Sequence, residues 1–166
     1  DGLKMALMYF TQSETCRGEP ETDQLCRDQA FNLFNTGHVE VRLYGHQGAI
    51  RKFADAAEFC RRFVTEHPWD NDARRILVKC LYETLPPPGE SLSLNPENIK
   101  LIRLISKEAS DAAAILVEFD PETAKRHWFL LAVHVDFADF LFNQMDFDGV
   151  KQELARATRV LDLVST

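Results

Sequence analysis

Apolar residues recur along this chain at steps of three and four, the period that gathers them on one side of an α-helix. Phe31, Phe34, His38 and Val41 keep that rhythm, and Ile50, Phe53, Ala57, Cys60 and Val64 repeat it. Ala73, Ile76, Leu77, Cys80 and Leu81 mark one face of a shorter helix. Longer stripes follow in Ile102, Ile105, Ala109, Ala112, Leu116 and Phe119, in Trp128, Leu131, Val135, Ala138 and Phe142, and in Val150, Leu154, Ala157 and Leu161. Strand-type alternation occurs only over His38–Leu43, inside a helical stripe. The pattern predicts six helices, over residues 20–44, 49–66, 71–84, 96–119, 121–143 and 146–164, with a further N-terminal helix over 2–14.

Breaks in the pattern agree with these bounds. Asn95-Pro96-Glu97 and Asp120-Pro121-Glu122 each set a capping residue before a Pro that fits the first helical turn, then an acid that favours the helix N-terminus. Gly45 and Gly48 flank a tight break, and Asp70 or Asn71 can cap the helix that follows His67-Pro68-Trp69. Residues 86–95 form a Pro-rich loop. Connections near 45–48 and 144–146 are too short to do anything but fold the chain back on itself. The expected fold is all-α: six or seven antiparallel helices arranged as consecutive helical hairpins in one domain spanning 1–166. A closed helical bundle is the alternative.

One stretch carries a family resemblance. Phe53 to Pro68 is similar to the second helix of a tetratricopeptide repeat, with Ala56 and Cys60 at that helix's small and large positions and Pro68 closing the unit. Phe63 stands where the family has a small residue. Residues 71–85 look like a following first helix, and 134–157 fit the template more loosely through Ala138, Leu141, Val150, Leu154 and Ala157. The resemblance covers about half the chain, with hairpin starts roughly fifty residues apart rather than the family's ~34. It implies a TPR-like α-solenoid that holds a peptide or helix in a groove between hairpins. It also leaves room for the chain to be a piece of a longer helical-repeat protein, self-associating through its terminal helices.

Charge and composition narrow the function classes. A net charge of −7 in 166 residues argues against a dedicated nucleic-acid-binding domain. No apolar run reaches the ~18 residues of a membrane span, and no signal peptide is visible. The four cysteines, Cys16, Cys26, Cys60 and Cys80, show no CxxC spacing and so no zinc motif. Cys60 and Cys80 fall on apolar helix faces, which suits reduced thiols and an intracellular setting, cytoplasm or nucleus; a secreted bundle with two disulfides is the alternative.

No nucleophile motif, Gly-rich phosphate loop or HExxH is present, so no catalytic residue, cofactor or metal is assigned and the chain is not expected to be an enzyme. His127 and His134, seven apart, are too widely spaced for one metal without ligands from another helix. The acids Asp136, Asp139, Asp146, Asp148 and Glu153 read as a solvated, acidic C-terminal hairpin able to meet a basic partner. The residues singled out for partner binding are Arg51, Arg62, Arg75 and Lys79, whose spacing could set a cationic clamp on neighbouring helices, and Trp69, which either covers a hairpin end or anchors a partner. The expected role is a non-catalytic protein–protein interaction module, a scaffold or adaptor. The alternative is a metal- or small-ligand-binding helical-bundle enzyme built on His134 and acids from a neighbouring helix.

Overall fold

A computed structural model describes residues 4, 5, 8, 23–85, 96–125 and 128–165, the side chains of 23–27, 98, 123 and 125 excepted. Among the described residues all regular structure is helical. The helices are α1 (Asp23–Tyr44), α2 (His46–Glu66), α3 (Asn71–Glu83), α4 (Pro96–Phe119), the five-residue α5 (Pro121–Lys125), α6 (Phe129–Asn143) and α7 (Phe147–Val164). Lys4, Met5 and Met8 are helical too; the rest of the expected 2–14 helix and the 86–95 loop lie outside the described residues. The expected 121–143 helix is two segments, α5 and α6, with 126 and 127 between them outside that set. The chain divides into two compact units, Asp1–Thr84 and Leu85–Thr166.

In the first unit α1 and α2 form a hairpin joined by a single residue, Gly45. Its φ of 81° is a left-handed conformation that glycine adopts without steric cost. Gly48, expected to flank the break, already belongs to α2. The hairpin closes on Phe53, which is fully buried and meets the Phe34 ring at a tilt, with ring centres 5.8 Å apart. Gly37 lets α1 approach that ring, since a Cβ there would sit 2.6 Å from the Phe53 ring.

α3 packs back on α2 through Ala73, Ile76, Leu77 and Leu81. Asp70 starts it by accepting from the Ala73 amide at 2.8 Å. Its other end is held by His46, whose Nε2 lies 2.8 Å from the Glu83 carbonyl oxygen. Cys60 and Cys80 are buried free thiols that hydrogen-bond across α2 and α3; that bond, and burial after it, push the Cys80 thiol far above its ordinary pKa.

In the second unit α4 packs on α6, α5 touches α4 and α7, and α6 and α7 form a second hairpin. Their turn is a Schellman motif: the Asp146 amide donates to the Leu141 carbonyl (2.9 Å) and the Met145 amide to the Phe142 carbonyl (2.9 Å). Asp146 then caps α7 by accepting from the Gly149 amide at 3.0 Å, and its other oxygen pairs with Arg103 of α4. The left-handed position of this motif, normally glycine, is occupied by Met145 at φ 60°.

Two stability predictions follow from these backbone approaches. Gly37→Ala should lower unfolding free energy in urea by about 1–3 kcal/mol through overpacking. A smaller residue at Phe53 should relieve that penalty, so the Gly37→Ala/Phe53→Leu pair should be non-additive. Met145→Gly should raise stability by about 1 kcal/mol by removing left-handed strain.

Candidate functional site

The cationic residues expected to converge in the first unit do not share one surface. Arg51 and Arg62 are exposed on the side of α2 opposite Phe53, Ala57 and Cys60. They therefore point away from α1 and α3, and Arg62 lies over the Phe59 ring at 5.4 Å. Arg75 and Lys79 lie on the side of α3 opposite Leu77 and Leu81. Arg75 pairs with Asp72 at 3.3 Å, and the Lys79 ammonium lies 5.9 Å from the Phe34 ring centre on α1. Burial lowers the Lys79 pKa from its ordinary value, and the Arg75 charge adds to that. Arg74 is buried: it donates to Asn71 Oδ1 at 2.9 Å and to the Pro68 carbonyl, closing the α2–α3 turn. Trp69 on that turn is 74% exposed, meeting the edge of His67, which itself stacks on Phe63. It is an exposed side chain and not the cover of the hairpin end.

The second unit holds a buried polar cluster from three helices. Ser110 of α4 and His134 of α6 are fully buried, and Glu153 of α7 nearly so. Ser110 Oγ donates to Glu153 Oε2 at 2.6 Å, and His134 Nδ1 lies 2.9 Å from the same oxygen and 3.2 Å from Ser110 Oγ. Arg156 Nη1 donates to Ser110 Oγ at 2.6 Å and to Glu153 Oε1 at 3.0 Å, and it pairs with Asp111 at 3.0 Å. Burial alone would push the Glu153 pKa up. The hydrogen bonds from His134 and Ser110 and the Arg156 charge outweigh burial, and hold the carboxyl below its ordinary value.

Serine, histidine and an acid together invite comparison with a hydrolytic triad, but the connectivity differs. A triad needs the serine on one imidazole nitrogen and the acid on the other. Here both meet Nδ1, and Nε2 is buried with no hydrogen-bond partner. No group of three His, Cys, Asp or Glu side chains among the described residues is placed to hold a metal. The cluster ties α4, α6 and α7 together.

Glu153 was read from sequence as part of a solvated acidic patch, with Leu154 and Leu161 in the core. The structure reverses this: Glu153, Ala157 and Val160 are buried, while Leu154 and Leu161 are about half exposed. The signal was present, because Glu153 precedes Ala157 by four and Val160 by seven and so shares their face. Ser110 was missed because a small polar residue in an alanine-rich stripe does not disturb the pattern.

That rotation leaves an apolar surface on the α6–α7 hairpin. Trp128 at the start of α6, and Val135 and Phe142 on it, recur every seven residues on the side turned away from the buried Phe137 and Leu141, and all three are exposed. On α7, Phe147, Leu154 and Leu161 recur with the same period, exposed as well. The two stripes meet at the turn, where Phe142 and Phe147 rings contact edge-on at 6.0 Å. With 142 opposite 147, an antiparallel hairpin sets 135 level with 154 and 128 level with 161. Met145, 73% exposed, stands at the same end. Comparison with protein-family models, with curated proteins and with solved structures gives no match.

Glu153→Ala should cost about 1–3 kcal/mol, since it leaves the buried Ser110 and His134 without their shared acceptor while Arg156 keeps Asp111. The folded-state pKa of Glu153 is depressed, so its stabilisation is complete above the unfolded glutamate value of ~4.3 and is lost as pH falls through the lower folded value. Urea denaturation between neutral and acid pH should show this fall in the wild type. Glu153→Gln should lose that component of the pH dependence.

Proposed function

We propose that this chain is a non-catalytic protein–protein interaction module, a scaffold or adaptor whose helical hairpins hold a peptide or helical segment of a partner. The observation that carries this reading is the exposed apolar surface of the α6–α7 hairpin, because large contiguous apolar patches on folded chains mark interaction sites. The hairpin order α1–α2–α3, with Ala56 and Cys60 buried where the tetratricopeptide-like helix needs them, supports a TPR-like mode of assembly. Trp69, exposed at a hairpin tip, and the cationic residues Arg51, Arg62, Arg75 and Lys79 are further contact candidates.

The enzyme or metal-binding reading draws on one observation, the buried and unpartnered Nε2 of His134. His134 does meet an acid from a neighbouring helix, as that reading requires. Against it, Ser110 and Glu153 already occupy the other nitrogen, and the three side chains are closed to solvent.

Two folded variants separate the surfaces in affinity capture followed by direct binding with the purified partner. Val135→Ser/Leu154→Ser is expected to lose the partner. Arg51→Glu/Arg62→Glu/Arg75→Glu/Lys79→Glu is expected to keep it. Loss only in the second variant would move the interface to the first unit. Retention in both, with stoichiometric metal in the pure protein, would replace the interaction reading with the metal-binding one.

A further inference from the structure

We propose that Cys60 and Cys80 form a reversible redox latch, in which a two-electron oxidation joins their sulfurs as a disulfide and fastens α3 to α2.

The chain geometry brings the two side chains together. α2 and α3 run antiparallel about the turn at residues 67–70. Cys60 stands six residues before the last residue of α2, and Cys80 nine residues after the first of α3. Cys80 is therefore about 4.5 Å farther from the turn along the helix axis. Side chains on a helix tilt toward its N-terminus, so the Cys60 side chain leans away from the turn and the Cys80 side chain leans toward it. The two lean toward each other and close that offset. Ala57, nine residues before the end of α2 and so level with Cys80, is buried and small, which leaves room for the second sulfur. The thiols meet there and hydrogen-bond across the helix pair, both shut from water.

Two thiols in contact can serve a metal or a disulfide. A structural zinc ion takes four ligands, and no group of three His, Cys, Asp or Glu side chains among the described residues is placed to hold a metal. A disulfide needs only the pair. The oxidant is a small disulfide such as oxidised glutathione. One cysteine, as its thiolate, attacks a sulfur of the reagent; the reagent's S–S bond breaks, and the thiolate it releases takes up a proton. The other cysteine, as its thiolate, then attacks the protein sulfur of the mixed disulfide and expels the second half of the reagent. The protein dithiol has lost two electrons and two protons, and the reagent has left as two thiols.

The bond closes a loop across the α2–α3 turn and restricts the unfolded chain, so the oxidised form is the more stable one. It also guards itself. A reductant reaches the buried sulfurs only when the helices part, and the bond opposes that motion. Reduction is therefore slower than oxidation, and the latch keeps its state after conditions change.

The test incubates the full chain with oxidised glutathione, blocks the remaining thiols in denaturant and maps tryptic peptides by mass. Cleavage after Arg61 and Lys79 separates the two cysteines. The expected product is a Cys60–Cys80 cross-linked peptide, in the wild type and in Cys16→Ser/Cys26→Ser alike. Its formation should raise the urea midpoint read by circular dichroism by about 1 M or more. Dithiothreitol should restore the reduced midpoint more slowly than oxidation raised it. Cys60→Ala should retain glutathione on Cys80, because the resolving thiol is gone; if that variant does not fold, the wild-type map decides alone. A glutathione adduct that persists on Cys60 or Cys80 of the wild type overturns the latch, as does a cross-link to Cys16 or Cys26 in its place. A cross-link that lowers the urea midpoint overturns it too, and so does a pair that stays reduced until urea unfolds the chain.

Discussion

A single buried carboxylate sets the rotation of the last helix, and the surface of the second unit follows from it. Taking Glu153 out of water is tolerable only where hydrogen bonds and opposite charge replace its hydration. Ser110, His134 and Arg156 supply these from α4, α6 and α7 itself. Turning α7 to bury Leu154 and Leu161 more deeply would carry Glu153 out of reach of Ser110 and His134. It would leave their polar groups stranded, so the leucines stay half exposed. An apolar surface persists in water here because removing it would break a polar network inside.

The same constraint explains which parts of the chain were legible in its sequence. The helices were, because a stripe such as Phe53, Ala57 and Cys60 reports its own period, and breakers such as Pro96 and Asp70 mark where it starts. Which stripe faced inward was less so where a helix is apolar all round. In α6 the row Trp128, Val135 and Phe142 and the row Leu130, Phe137 and Leu141 are equally hydrophobic, and only packing against α4 and α7 decides that the second is buried. In α7 the sequence favoured Leu154 over Glu153 by polarity alone. The outcome turned on partners more than forty residues away at Ser110 and nineteen away at His134.

The basic residues of the first unit show the complementary difficulty. Spacing placed Arg51 with Arg62 on one face of α2, and Arg75 with Lys79 on one face of α3, correctly in both cases. It carried no information on how those faces are turned toward each other. Arg74 and Arg75 are adjacent in sequence yet differ in role, one buried against the Pro68 carbonyl and the other on the surface with Asp72. Trp69, held by edge contact with His67, remains in solvent at the tip of the same turn.

The paired thiols of the first unit have a kinetic consequence. Thiol reagents attack the thiolate, and Cys80, bonded to Cys60 and shut from water with its ionisation strongly suppressed, offers almost none. Modification of either sulfur must wait for α3 to lift from α2. The rate at which an alkylating agent marks Cys60 and Cys80 is thus a clock for the breathing of that helix pair, written into the protein without any added label.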